Sequence, residues 1–290
     1  MRILIVGGAG FIGRWLLREL VKEHDVISID PKPFSEEVLD FIGGRFTAYN
    51  MTWQDYLAFC DFPDVDVVVP LQGQIGSVDS VRKPFESLHE SVSTNLSVLE
   101  HLRLMSRKPL IVFVSSDLCY SPEPKCLYSL HKHTVEGYLR IFYEIAGIPY
   151  VILRTATCYG PWQVRDSVVN FYIRRALNGD GIPVYGDGQN RQAFIYIEDA
   201  VNCIKMACEG KFGYNATYPL VGENLRITEI AEAVSRLIGG EVEHVDWPML
   251  TKAVNVGDLP ITSLGPHGWL PKVHFEGGIL RTAEWIKKTF

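Results

Sequence analysis

Short apolar runs recur along this chain, separated by longer segments with an apolar residue every three or four positions. The runs lie at 3–6, 26–29, 65–71, 110–114, 150–153 and 194–197. Several are rich in Val and Ile and do not alternate with polar residues. Strands of a parallel sheet covered on both faces read this way, whereas half-exposed antiparallel strands alternate. Helical periodicity falls near 11–22, 84–106, 128–146 and 199–209. Strand and helix in strict alternation predict an α/β fold, a doubly wound parallel sheet. The texture changes after residue 160. Gly160-Pro161-Trp162 breaks the chain, a helix is expected over 167–178, and a turn-rich stretch, GDGIPVYGDGQNRQ, follows. A helix over 228–238 would open on Thr228 as N-cap and close at Gly239-Gly240, and 278–288 again reads as helix. These parts predict a smaller C-terminal lobe. The expected division is 1–160 plus 192–218 for the sheet domain and 161–191 plus 219–290 for the lobe.

The first thirty residues are the most informative. The strand at 3–6 runs into Gly7, Gly10 and Gly13, with Phe11 and Ile12 opening a helix, and the next strand ends at Asp30. Strand, glycine turn, helix, strand and acid make a dinucleotide-binding unit of the Rossmann-like type. The first glycine permits the sharp turn. The second lets backbone approach a diphosphate, and the third lets the helix pack closely on the sheet. The helix N-terminus offers N–H groups and positive dipole to phosphates. Asp30 accepts hydrogen bonds from ribose hydroxyls and repels a 2′-phosphate, so NAD is expected rather than NADP. No arginine stands within a few residues after Asp30, although Lys32 does. Ligands of such sheets bind beyond the carboxyl ends of the strands. Asn50, Met51, Leu71, Gln72 and Gly73 therefore complete the expected cofactor contacts.

Two further features bring in reaction chemistry. Tyr128 and Lys132 stand four apart in a helical pattern with the apolar stripe Val135, Leu139, Phe142 and Ile145. A phenol with an ordinary pKa of about 10 is a poor base at neutral pH, and a neighbouring ammonium lowers that value. The strand at 110–114 leads into Ser115-Ser116-Asp117, which puts hydroxyls at a strand tip where a nicotinamide is expected. Ser116 there would hydrogen-bond a reacting oxygen. Tyr128 would move the hydroxyl proton while Lys132 tunes it and binds the nicotinamide ribose.

Composition narrows the classes. Hydrophobic content of 47% supports a large core, and a net charge of −6 with no basic block excludes a general nucleic-acid binder. No apolar stretch approaches the roughly 18 residues of a membrane span. No signal peptide is visible, so a cytoplasmic protein is expected. The six cysteines form no C-x-x-C pair and read as reduced thiols. His131 and His133, two apart on a helix, face different sides, and no metal site is expected.

Taken together, GGAGFIG, SSDLCY, YSLHK, LRTATCYGP, VYGDGQNRQAFIYIEDA, VGDLP and GWLP resemble the extended short-chain dehydrogenase/reductase family, in its NAD-dependent sugar epimerase/dehydratase branch. The similarity runs over nearly the whole chain. It implies bound NAD, catalytic residues at Ser116, Tyr128 and Lys132 with Asp117 beside them, and a substrate-binding lobe. It also implies a homodimer through helices near 84–106 and 128–146. Substrate contacts transfer to Ser116, Thr157, Arg191, Gln192 and Asn255.

The departures bear on the reaction. Gln192 and Asn255 stand where members that bind nucleotide sugars commonly carry arginines, with Arg191, Lys252 and Arg165 as candidate replacements. Thr157 replaces an Asn. Ser91 aligns with the Asn of the preceding helix, and Asn95 lies one turn on. Dehydratases carry an acid–glutamate pair after the catalytic Ser/Thr; this chain has Asp117 followed by Leu118, which has no base. The leading expectation is an NAD-dependent epimerase of a nucleotide-linked sugar, working through a transient ketone. The alternatives are a net reductase or dehydrogenase of a small polar or sugar substrate, or a sugar dehydratase. A silent NAD-sensing protein is a third class, opposed by the intact Ser-Tyr-Lys set.

Overall fold

The structure, a computed structural model, describes residues 1–73, 77–163, 167–247 and 268–289. The first half runs β1 (Arg2–Val6), α1 (Phe11–Leu20), β2 (Asp25–Ile29), α2 (Glu36–Ile42), β3 (Thr47–Tyr49), α3 (Trp53–Phe59), β4 (Val67–Pro70), α4 (Ser77–Arg82), α5 (Pro84–Leu88), α6 (Thr94–Leu104), β5 (Leu110–Ser116), α7 (Leu127–Ala146) and β6 (Tyr150–Thr155). The second half runs β7 (Thr157–Tyr159), α8 (Val168–Leu177), β8 (Ile182–Tyr185), β9 (Arg191–Tyr196), α9 (Ile197–Cys208), β10 (Ala216–Leu220), β11 (Glu223–Arg226), α10 (Ile227–Ile238), β12 (Val242–Val245) and α11 (Phe275–Thr289).

Seven strands form one sheet in the order β10-β6-β5-β4-β1-β2-β3, with β1 parallel to β2 and β4, β2 to β3, and β4 to β5. The order reverses between β1 and β4, the crevice where such sheets bind ligands. All seven residues of β5 are buried, as are Ile3–Val6 of β1. The apolar stripe of α7, Val135, Leu139 and Phe142, packs into the same core as Val68, Ile111 and Phe113.

The structure corrects four local expectations. The run at 194–197 does not join the large sheet. It ends β9, which lies in a separate sheet ordered β11-β9-β7, parallel to β7 and antiparallel to β11. An apolar run reports burial, and its partner is chosen by contacts distant in sequence. The place at the sheet edge goes to β10, whose pattern ATYPL is half-buried except at Leu220 and escapes an apolar search. The helix expected over 84–106 is interrupted: the turn His89–Ser93 is a wider π-type turn between α5 and α6. Helix α10 starts one residue before Thr228 and is capped by Arg226, whose N–H donates to Glu229 at 2.7 Å.

The chain condenses into two compact units. One comprises Met1–Arg154 and Val201–Tyr218, the other Thr155–Ala200 and Pro219–Phe290. The second has its own core, in which α8 packs on both α10 and α11. Among the described residues no helix is long and apolar enough to cross a membrane.

Candidate active site

The carboxyl ends of β1, β2, β3, β4 and β5 carry Gly7, Asp30, Asn50, Leu71 and Ser116 in one row of the first unit. Gly7 has φ +97°, and a Cβ on it would stand 2.7 Å from the Gln72 nitrogen. A Cβ on Gly13 would meet the Gly7 and Gly8 carbonyl oxygens at 2.5 and 2.6 Å, so the helix rests directly on the turn. Gly10 is exposed, and only the Gly7 oxygen, 3.3 Å away, is near its missing Cβ. Helix α1 opens at Gly10 without a side-chain cap, leaving its first N–H groups to an anion. Phe11 and Ile12, both half-buried, form its first turn.

Asp30 is buried, and its two oxygens take separate backbone donors, the Ala9 N–H at 3.0 Å and the Lys32 N–H at 2.8 Å. Burial raises its pKa; those bonds and the nearby Lys32 and Arg14 cations oppose the rise. Leu71, Gln72 and Gly73 pass over Gly7, and Gly73 in turn abuts Ser91 of the π-type turn, where Asn95 Nδ2 donates to the Ser91 carbonyl at 2.6 Å. Asn50 is exposed, and Met51 packs against the core. An open helix N-terminus for a diphosphate and a held carboxylate for a ribose fit NAD.

Ser116 ends β5, and Asp117 begins a short 3-10 turn over Asp117–Tyr120. Ser116 Oγ accepts from the Leu118 N–H at 3.2 Å and donates to Asp117 Oδ1 at 3.2 Å. Asp117 is buried, and desolvation pushes its pKa up to about 7 against the hydrogen bonds from Ser116 and the backbone. Lys132 leans from α7 onto β5: its Nζ donates to the Val114 carbonyl at 2.8 Å and lies 4.8 Å from the Phe113 ring centre and 5.9 Å from that of Tyr128. Burial brings Lys132 down to about 8, opposed by Cys119 and Glu136. Ser116 and Asp117 thus stand at the tip of β5, Lys132 lies against the same strand, and the Tyr128 ring lies beside Lys132.

Glu136 was missed by sequence reading and anchors this cluster. It is fully buried, one helical turn beyond Lys132 and two beyond Tyr128. Ser115 Oγ donates to it at 2.7 Å, Arg154 by two nitrogens at 3.0 and 2.8 Å, and Arg140 at 2.9 Å. Arg154 also lies 5.0 Å from the centre of the Tyr120 ring. The spacing 128, 132, 136 was visible; the arginine that makes the carboxylate tolerable comes from β6.

In the second unit, Gln192 Nε2 donates to Thr157 Oγ1 at 2.7 Å, joining β9 to β7. Arg191 donates to the Asn224 carbonyl of β11 at 2.7 Å. Asn255, Arg165 and Lys252 lie outside the described residues. A cavity of about 170 Å³ in this unit is walled by other residues, among them Tyr159, Phe194, Tyr196 and Phe275. Trp162 has its ring 5.6 Å from that of Trp285.

A buried carboxylate with a raised pKa makes stability fall as pH rises. Asp117 destabilises the fold once ionised, so its effect is absent below the unfolded value of about 4 and grows up to the folded value of about 7. Asp117→Asn is therefore expected to gain on the unchanged protein by about 1.4 kcal/mol per pH unit above about pH 4, and so to stand a few kcal/mol further ahead of it at pH 8 than at pH 4. Urea denaturation at the two values reads the difference; a gap independent of pH would refute the assignment.

The chain is similar over most of its length to known proteins. The chain is 27% identical over 98% of its length, and 98% of the other's, to a putative UDP-glucose 4-epimerase of Methanocaldococcus jannaschii. It is 32% identical, over 70% of its length and 71% of the other's, to an uncharacterized UDP-glucose epimerase of Bacillus subtilis. The crystal structure of Thermus thermophilus UDP-glucose 4-epimerase in complex with NAD superposes with a TM-score of 0.82 at 25% identity, covering 100% of both chains. The pattern of the NAD dependent epimerase/dehydratase family matches residues 3–216, most of the chain, and the chain belongs to that family.

Proposed function

We propose that this protein is an NAD-dependent epimerase of a nucleotide-linked sugar. The observation that carries the reading is the grouping of Ser116, Tyr128 and Lys132 at the β5 tip, in the same row of strand ends as Gly7 and Asp30, with Leu118 where a dehydratase has its base. NAD, when bound, supplies a hydride acceptor that also gives the hydride back. Tyr128 takes the proton of the sugar hydroxyl as the carbon becomes a ketone, and returns it when the carbon is reduced from its other face. Ser116 holds the oxygen throughout. Lys132, cationic below about pH 8, stabilises the phenolate. Gly10 and the start of α1 hold the diphosphate of the cofactor, Asp30 its adenosine ribose, and Leu71 to Gly73 line the approach. Thr157, Gln192, Arg191 and Asn255 are assigned to the substrate. The second unit is then the substrate-binding lobe.

Gln192 favours one second reading. It puts an amide where a diphosphate would meet a cation, which suits a net oxidoreductase acting on a small polar substrate. Incubation with NAD and a panel of UDP-, dTDP- and GDP-hexoses separates the two. The expected result is a stereoisomer of one sugar with no net change in the reduced-nicotinamide absorbance. Accumulation of NADH, or a product that has lost water, would overturn the epimerase reading.

The proposed assembly is a homodimer through α5, α6 and α7. It is supported by Phe85 and Leu88 on α5 and Leu130, Ile141 and Ile145 on α7, all large apolar side chains exposed on one unit. Sedimentation of a single species at monomer mass would exclude it. A reducing, cytoplasmic setting suits six cysteines that form no disulfide.

A further inference from the structure

We propose that Arg14 is a cofactor-selectivity residue: with Lys32 it forms a latent seat for the 2′-phosphate of NADP, closed by the single carboxylate of Asp30. The inference rests on the dinucleotide site described above and goes beyond it.

Arg14 follows Gly13 directly and is half-buried on α1. Its Nε donates to the Ala9 carbonyl at 2.8 Å, while the N–H of the same residue donates to Asp30 Oδ2 at 3.0 Å. Guanidinium and carboxylate therefore clamp one residue of the glycine turn from its two ends. The other Asp30 oxygen takes the Lys32 N–H at 2.8 Å. The Arg14 Nη groups make no hydrogen bond among the described residues. Arg14 and Lys32 act on Asp30 as cations, and Glu37, from the first turn of α2, faces Arg14 as the second acid.

The donors that hold this carboxylate are those a phosphate needs. Two backbone N–H groups converge on one anion, as in other anion-binding turns of the main chain. A guanidinium with both Nη groups to spare matches the paired oxygens of a phosphate. Asp30 occupies the place: it accepts ribose hydroxyls and repels a phosphate dianion. A serine at position 30 would leave the Ala9 and Lys32 N–H groups, the Lys32 ammonium and the Arg14 guanidinium facing the ribose, with Glu37 alone opposing. Sequence proximity hides this arrangement, because Arg14 precedes Asp30 by a helix and a strand and only the fold brings it alongside.

The test is equilibrium binding of NADH and of NADPH, followed by reduced-nicotinamide fluorescence without any sugar. The proteins are the unchanged chain, Asp30→Ser, Arg14→Gln and the double variant. Charge-assisted hydrogen bonds are worth about 1.5–3 kcal/mol, or about 10- to 100-fold in affinity. Asp30→Ser is expected to weaken NADH and to tighten NADPH by about tenfold or more. Adding Arg14→Gln is expected to remove most of that gain. Arg14→Gln alone is expected to weaken NADPH more than NADH, which keeps the question open to test even where Asp30→Ser does not fold. The proposal is overturned if Asp30→Ser gains nothing toward NADPH, if the double variant keeps the gain, or if Arg14→Gln affects both dinucleotides equally. An unchanged chain that binds neither dinucleotide would overturn the cofactor assignment itself and the proposal with it. Epimerase activity plays no part in the readout, so a wrong sugar or a wrong reaction leaves the outcome legible.

Discussion

Tyr128→Phe is expected to lower turnover by about 10²–10⁴-fold, the usual worth of a positioned general acid–base group, while NADH still binds. The substitution removes one oxygen and no ring contact. The Lys132 ammonium keeps its bond to the Val114 carbonyl and its place beside the ring. The position and charge of Lys132 thus survive, and proton transfer by the phenol is lost. Steady-state kinetics with the sugar identified by the panel, paired with fluorescence titration of NADH, separate the two effects. Near-normal turnover would remove Tyr128 from the mechanism. The alkaline side of the unchanged enzyme's pH profile carries a second sign of the same arrangement. Burial lowers Lys132 to about 8, so its charge, and the support it gives the phenolate, disappears as pH rises through that value. Activity is expected to fall there, on the basic side of neutrality.

Glu136→Leu is expected to destabilise the fold by about 3–5 kcal/mol, the cost of breaking a buried ion pair by removing one partner. Arg154, itself largely buried, would be left facing the space that two of its hydrogen bonds now fill. Glu136→Gln keeps the shape and an acceptor for Ser115 and loses the charge, so a smaller loss is expected. Removing both partners, as in Glu136→Leu with Arg154→Met, is expected to recover much of the loss, because buried pairs are often replaceable by apolar packing. Urea denaturation of the unchanged protein, Glu136→Leu, Arg154→Met and the double variant gives the coupling directly; strictly additive losses would show that the pair does not act as one. The pH dependence has a definite sign. Burial pushes the Glu136 carboxyl up, but the bonds from Arg154, Ser115 and Arg140 outweigh it and hold the value below the usual carboxylate range. A depressed carboxylate contributes stability that is fully present above its unfolded value and is lost as pH falls through the folded one. The gap between the unchanged protein and Glu136→Gln should therefore close in strong acid. The buried Asp117, raised by desolvation, acts in the opposite sense over a higher range.

The two carboxylates show how far a sequence can be read. Asp117 was found through the family resemblance of SSDLCY, a short motif in which it follows the strand-end serine. Glu136 was overlooked although it continues the spacing of Tyr128 and Lys132, since a glutamate in a helix usually faces water. What makes burial tolerable is Arg154, on the strand after the helix. The same holds at the cofactor end. Asp30 was legible from the strand and glycine turn before it, whereas Arg14, nearer to Gly13 than to Asp30 in sequence, belongs to the same charge group only in space.

The amino-acid order alone determined the alternation of strand and helix, the glycine turn, the acid after β2, and the serine, tyrosine and lysine of the site. Each depends on short-range physics: periodic burial, the volume of an absent Cβ, or the reach of one helical turn. Only the tertiary structure decided that β10 rather than β9 extends the large sheet, that a π-type turn brings Ser91 under Gly73, and which cations answer the buried Glu136 and Asp30. Those outcomes depend on backbone pairing and charge compensation between segments tens of residues apart, where local pattern carries no information.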